Sequence, residues 1–388
     1  MSTYDVIVVG GGIIGGSIAF ELAKHNVRVA VVERQQPGLE ASWAAAGMLS
    51  VAPESPDAIP LATLAKASLE MYQEYVAAVE KISGRKAGLR RDGALMALFL
   101  PHVERELSTI LAVHHGLGFA TEAIRVDDAR RMEPSLNPAM RAAAWHPYEG
   151  SVDSRALTEA MLLAAEKQGV KIMTLPGGVT SLLAEKKRCT GVIAGGEKII
   201  AGKVIIAAGC FSGTIPTIER YAPTRPVRGQ MVAMKSDTVN LGRVVRSEKG
   251  YLVPQAYGRI LAGTTTEHAG FEKRVTPAGM QQILSAAVEI APELAQASVV
   301  ESWSGLRPDT PDHLPSLGPT DVDGLLIATG HYRNGILLAP ITARLMRAWV
   351  IEGRTTMTVD AFSPMRFAQH ESGVRGKGQE KEIREQKS

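Results

Sequence analysis

Tyr4-Asp-Val-Ile-Val-Val-Gly-Gly-Gly-Ile-Ile-Gly-Gly-Ser-Ile-Ala-Phe-Glu-Leu-Ala-Lys-His25, followed by Val27-Arg-Val-Ala-Val-Val-Glu33, decides the fold. Tyr4 to Val9 is a nearly continuous β-branched apolar run, the pattern of a strand buried on both faces of a parallel sheet. Ser17 to His25 reads as a helix, and Val27 to Val32 as a second buried strand ending at Glu33. Gly10, Gly12 and Gly15 satisfy G-x-G-x-x-G within this βαβ unit. The first glycine permits the tight turn, the second admits a pyrophosphate to the backbone, and the third lets helix and strand pack closely. Phosphates then meet the positive end of the helix. Glu33, eighteen positions after Gly15, is placed to accept hydrogen bonds from ribose hydroxyls. Strand, helix and acid in register point to a dinucleotide.

Outward from this unit, three prolines between Pro53 and Pro60 mark a loop. Leu61, Leu64, Leu69, Tyr72, Val76, Val79 and Ile82 then recur at helical spacing. Gly88 to Tyr148 carries mixed signals, with a strand at Ala94 to Leu100 and a helix at His102 to His115, and reads as part of a second unit. A helix from Val152 to Gln168 and a strand from Lys203 to Ala208 return the chain to the first. Alternation at Met231 to Met234, Tyr251 to Val253 and Arg259 to Thr264 predicts an antiparallel sheet. Gly324 to Thr329 gives another buried strand, and Gly335 to Val350 a helix with Pro340 inside it. The fold class is α/β: a Rossmann-like cofactor domain (1–87, 149–224 and 305–365) interrupted by an α+β substrate domain with an antiparallel sheet (88–148 and 225–304). Residues 371–388 hold nine charges with only Val374 and Ile383 as aliphatics, and are expected to be a disordered tail.

Composition narrows the function classes. Forty-three Lys and Arg against 40 Asp and Glu leave +3, too little for the basic field of a nucleic-acid binder, so a small molecule is the expected partner. Two cysteines make neither a disulfide framework nor a Cys-rich metal site, and with no membrane span or signal peptide the expected location is cytoplasmic. No H-E-x-x-H, C-x-x-C or G-x-S-x-G occurs, and His114 and His115, adjacent on a helix, are no metal pair; no metal site is expected.

Either FAD or NAD would suit the glycine turn. The small-residue run Ser42-Trp-Ala-Ala-Ala-Gly-Met48 favours a long cofactor whose second part is approached by backbone amides, and the absence of a second G-x-G-x-x-G implies one dinucleotide. Five pieces, in order, resemble the glycine/D-amino-acid oxidase family of flavoproteins. They are Val-Val-Gly-Gly-Gly-Ile-Ile-Gly, Ala-Ala-Ala-Gly-Met-Leu, Pro-Val-Arg-Gly-Gln, Gly-Leu-Arg-Pro-Asp-Thr-Pro-Asp and Gly-His-Tyr-Arg-Asn-Gly-Ile-Leu-Leu-Ala-Pro. The resemblance implies that flavin contacts fall on Ile13, Ile14, Glu33, Arg34, Ala41, Ser42, Ala46, Gly47, Met48, Val179 and the run His331, Tyr332, Arg333, Asn334, Gly335, Ile336 and Leu337. It implies a substrate-carboxylate arginine at Arg307, with Tyr251 and Arg333 on the substrate side, and suggests a homotetramer. Relatives with covalent flavin use a cysteine in the C-terminal part. None follows Cys210, so FAD is expected to be noncovalent.

Amine oxidation at a flavin moves a hydride from the α-carbon to N5, so the protein must position the substrate and complement its charge. The planar fork of Arg307 matches a carboxylate, with the Tyr251 hydroxyl as a further donor. A helix starting near Gly335 would direct its positive end at the flavin pyrimidine. Taken alone, Arg307 reads as a surface or salt-bridged arginine, Tyr251 as a strand-edge tyrosine, Arg333 as a brace for the flavin loop, and Glu54 as a solvated loop carboxylate. The motifs favour an FAD-dependent oxidase of glycine, sarcosine or a small D-amino acid, with oxygen as acceptor. A dehydrogenase feeding a membrane carrier and a non-catalytic flavin protein are the rival readings.

Overall fold

A computed structural model of the chain describes residues 3–51 and 56–368. Glu54 and the charged tail lie outside the described residues.

Thr3–Val9 is the central strand of the first sheet. It pairs in parallel with Val29–Glu33 on one side and Glu197–Ile206 on the other. Lys171–Thr174 and Leu325–Thr329 extend the parallel set outward, and Ser316–Pro319 closes the edge antiparallel. Val6 to Val9 and Val29 to Val32 are almost wholly excluded from solvent, as the uninterrupted apolar runs require. Helices Ile13–Ala23, Ala62–Ser83, Ser154–Lys167 and Gly335–Ile351 pack on one another beside this sheet and share one apolar core with it.

The first helix begins at Ile13, four residues before the sequence pattern placed it. Glycines at 15 and 16 argue against a helix on propensity, but contact demands them. A Cβ on Gly15 would stand 1.9 Å from the Gly10 carbonyl oxygen, and one on Gly16 3.2 Å from Leu162. A hairpin of Val179–Glu185 and Arg188–Ala194, which the sequence reading did not identify, pairs onto Glu197–Ile206. Its turn uses Lys186 and Lys187 at positive φ, where glycine or asparagine would have signalled it.

The second sheet has the order Ser298–Asp309, Arg225–Lys235, Arg259–Gly263, Tyr251–Pro254, Val244–Arg246, Ala94–Leu98, Ala142–His146, Glu122–Ile124. It is antiparallel except between Val244–Arg246 and Ala94–Leu98, which run parallel where two distant chain segments meet. The segment 88–148 therefore contributes strands to the same sheet as 225–309.

Pro340 sits inside the last helix without breaking it. A proline lacks the N–H that would bond the carbonyl four residues back. The buried Tyr72 hydroxyl donates to that carbonyl, Ile336 O, at 2.8 Å, while Ser68 Oγ donates to Leu337 O at 2.6 Å and accepts from Ile341 N at 3.4 Å. Two side chains of the long helix repair the ladder of its neighbour. Among the described residues no helix is long and apolar enough to cross a membrane.

Candidate cofactor and substrate site

Between the two sheets lies a cavity of about 1110 Å³. Roughly 300 to 1,000 Å³ serves a drug-sized ligand, so there is room for a large cofactor with a small substrate. Every residue nominated from the sequence lines it, except Gly15 and Leu337. Gly15 packs behind Gly10, and Leu337 is buried with its carbonyl on Ser68.

The strand ends of the first sheet build one end of this cavity from backbone. Gly10 has φ +109°, and a Cβ there would stand 2.4 Å from Ala207 O. The Glu33 carboxylate accepts from Gly11 N at 2.7 Å through one oxygen and from Arg34 N at 2.8 Å through the other. Gln35 N donates to that second oxygen as well, at 3.1 Å, so the carboxylate is fixed at the tip of its strand and its first oxygen keeps a further lone pair. Ser42 Oγ accepts from Ile13 N at 2.9 Å, satisfying one of the amides that a helix start leaves open. The Arg34 guanidinium lies 3.4 Å from the Phe211 ring centroid and pairs with Glu40 at 2.5 Å.

The small-residue run is small because two elements press on it. Gly47, at φ +79°, would place a Cβ 1.9 Å from Val152 O, and a Cβ on Gly305 would stand 2.3 Å from that of Ala44. Ala44 O accepts from Trp303 Nε1 at 3.1 Å, which draws the second sheet onto the segment. Ala46 and Met48 border the cavity on this path, as does Ala41 at its start, and Val179 lines it too.

At the other end the second sheet presents a face. Met231, Gly263, Tyr251, Arg246 and Met96 lie directly opposite one another on successive strands, so their side-chain positions share one side. Tyr251 OH donates to Met231 Sδ at 3.3 Å, and the missing side chain of Gly263 makes the room. Arg307 stands on the same face two residues beyond Gly305, its guanidinium over Gly229, where a Cβ would come within 2.4 to 2.6 Å of it. It donates to Thr264 Oγ1 at 2.7 Å and to Thr265 O at 3.2 Å.

The loop His331 to Asn334 joins the two ends. Tyr332, at φ +48°, donates its N–H to Pro308 O at 2.9 Å, just beyond Arg307. Arg333 is exposed and donates to Thr266 Oγ1 at 3.1 Å. His331 is buried within 3.0 Å of Thr342 Oγ1, and burial pushes its pKa down to about 3, so it is neutral. Asn334, Gly335 and Ile336 line the cavity at the start of the last helix, whose positive end faces it.

The sequence reading missed Arg246 and Glu149. The two are 5% and 2% exposed and form an ion pair at 2.9 Å, with Arg246 on the cavity wall. Ser50 Oγ and Val51 N also donate to Glu149, at 2.9 and 3.1 Å. The hairpin turn at Ser247 to Gly250 carried the signal, because it sets Arg246 opposite Tyr251. His114 lines the cavity as well, with its Nδ1 3.1 Å from Thr121 Oγ1. Cys210 is a buried wall residue whose thiol is pushed up to about 12, chiefly by burial.

Residues 5–349 match the family described as FAD dependent oxidoreductase. The chain is 33% identical over 374 residues to the bifunctional protein ThiO/ThiG of Synechocystis sp., covering 94% of this chain and 54% of that protein. It thus spans about half the length of such bifunctional relatives. It is 32% identical to a glycine oxidase of Geobacillus kaustophilus, covering 93% of this chain and 96% of the relative. The crystal structure of glycine oxidase from that organism superposes with a TM-score of 0.88 over 94% of this chain and 98% of that one.

Proposed function

The chain belongs to the FAD dependent oxidoreductase family, and is of the glycine oxidase type; from that premise we propose that it oxidises glycine, and sarcosine or small D-amino acids with it, using oxygen as acceptor. The observation that carries this reading is one cavity with a backbone-built nucleotide cradle at one end and a face bearing Arg307 and Tyr251 at the other.

The residues fit FAD held without a covalent bond. The glycine cradle would be filled by any Cβ, Glu33 is fixed for an adenosine ribose, and Cys210 remains a protonated, unreactive thiol. When bound, FAD supplies the acceptor for the hydride leaving the substrate α-carbon. Arg307 binds the substrate carboxylate with its planar fork, each charge-assisted bond contributing about 1.5 to 3 kcal/mol, and Tyr251 OH adds a donor. Arg333, across the Thr266 contact, brings a second positive charge to the rim. The start of the last helix, which lines the cavity, would offer about half a positive charge to a bound flavin and so favour its reduced, more negative form. Water hydrolyses the imine, so glycine, oxygen and water give glyoxylate, ammonia and hydrogen peroxide. In this reading the cofactor unit comprises 1–87, 149–224 and 305–365 and the substrate unit 88–148 and 225–304. The protein is a cytoplasmic homotetramer, and the imine feeds the thiazole of thiamine.

Anaerobic bleaching of the flavin by a panel of amino acids, followed by oxygen uptake, tests this. Glycine should bleach the yellow protein, and peroxide should form one for one with glyoxylate. A protein that glycine leaves yellow refutes the reading, and reduction without peroxide favours the dehydrogenase alternative.

A further inference from the structure

Pro226-Val-Arg-Gly-Gln230 marks the family resemblance, yet the proposed chemistry uses none of its side chains. The structure gives the last three residues a common task. Gly229 faces the cavity and is the floor beneath the Arg307 guanidinium. Its neighbours Arg228 and Gln230 point to the opposite face, because side chains alternate along a strand. There both grip the segment that follows Gly263. Arg228 exchanges backbone hydrogen bonds with Glu267 and pairs with its carboxylate at 2.5 Å.

Gln230 is fully buried and uses every polar group it has. Its backbone N–H donates to Thr265 Oγ1 at 2.9 Å, and its backbone carbonyl accepts from Thr264 Oγ1 at 3.0 Å. Its side-chain nitrogen donates to Glu267 at 2.7 Å and to Thr276 Oγ1 at 3.0 Å, and its side-chain oxygen accepts from Thr276 N at 2.8 Å. One residue thus fixes both ends of the 264–276 segment.

The consequence falls on Arg307. A hydroxyl has one proton, and Thr264 gives it to the Gln230 carbonyl, so its lone pairs are left to receive Arg307 at 2.7 Å. Thr265 O takes the other terminal nitrogen. These are neutral oxygens, which orient a guanidinium without adding a negative charge beside it. We propose that Gln230 and Thr264 are positioning residues for carboxylate recognition, acting through Arg307. This rests on the reading of Arg307 as the carboxylate anchor.

The test uses the flavin-loaded protein and glycolate, a small carboxylate with no amine, whose binding is read from the shift it causes in flavin absorption. Thr264→Val keeps the shape and removes the hydroxyl. The glycolate Kd and the KM for glycine should both rise about tenfold, with kcat within about twofold, and Thr264→Ser should restore the parent values. An unchanged Kd in Thr264→Val, or a Thr264→Ser variant as impaired as the valine, overturns the proposal. If Thr264→Val does not retain flavin, Gln230→Glu serves in its place, because it puts a second carboxylate beside Glu267. A rise in Kd supports the proposal, and an unchanged Kd overturns it. A parent protein that no amino acid bleaches refutes the oxidase reading alone, since the glycolate titration still decides this one.

Discussion

The parallel sheet reaches the cavity with strand ends, and what it offers there is mostly backbone: the Gly10 turn, the amides at the helix start, and Glu33 held on amides. The second sheet reaches the same cavity with a face, and what it offers is side chains whose neighbours come from distant strands. The difference teaches where tolerance to substitution lies. A backbone-built site fails when any Cβ intrudes, whereas a face-built site fails residue by residue and leaves the other end intact.

Gly15→Ala should break the comparison at its strongest point. The new Cβ would have to displace the Gly10 carbonyl from 1.9 Å, so the protein should purify colourless, with FAD affinity down at least about 100-fold by titration. A yellow, fully loaded variant would remove the argument for a backbone-built cradle.

Arg307→Ala should leave the flavin bound while kcat/KM for glycine falls roughly 100- to 1,000-fold, the loss of a charge-paired anchor. Loss of flavin from this variant would mean that the two ends are not separable.

Acid sharpens the contrast next, because each region holds a buried histidine that burial keeps neutral. His331, in the loop before the last helix, is pushed down to about 3 by burial, and His146, in the second sheet, to about 2 by burial with Arg246 and His114 beside it. Their unfolded pKa is about 6.5, so between that value and the folded pKa the unfolded chain binds more protons. The associated stability is complete above pH 6.5 and declines as pH falls. From pH 7 to pH 5 each histidine should cost about 2 kcal/mol, read from urea midpoints. His146→Gln should flatten that slope by about half, and an unchanged slope would contradict the assignment.

The smallest effect is expected from Tyr251→Phe. One donor to the carboxylate is removed and the ring stays, so KM should rise about five- to tenfold with kcat little changed.

The same contrast explains what the sequence disclosed. The cradle was legible because its requirements are local: glycines at 10, 12 and 15 and an acid at the end of the next strand lie within one βαβ unit. Tyr251 and Arg307 carried no local signal and became candidates only through family motifs. Arg246, Glu149 and Thr264 stayed hidden because their roles depend on which segments adjoin: Arg246 meets Glu149 across 97 residues of chain, and Thr264 meets Arg307 across 43. The first helix began earlier than its pattern suggested for a related reason: packing against Gly10 and Leu162 outweighed the poor propensity of paired glycines.

The proline within the last helix bears on recombination between relatives. Because Tyr72 and Ser68 complete its hydrogen bonding, residues 62–83 and 335–351 form one heritable piece despite lying at opposite ends of the chain. A chimera that takes the later helix from one parent and the earlier from another inherits a stranded carbonyl unless both hydroxyls come with it.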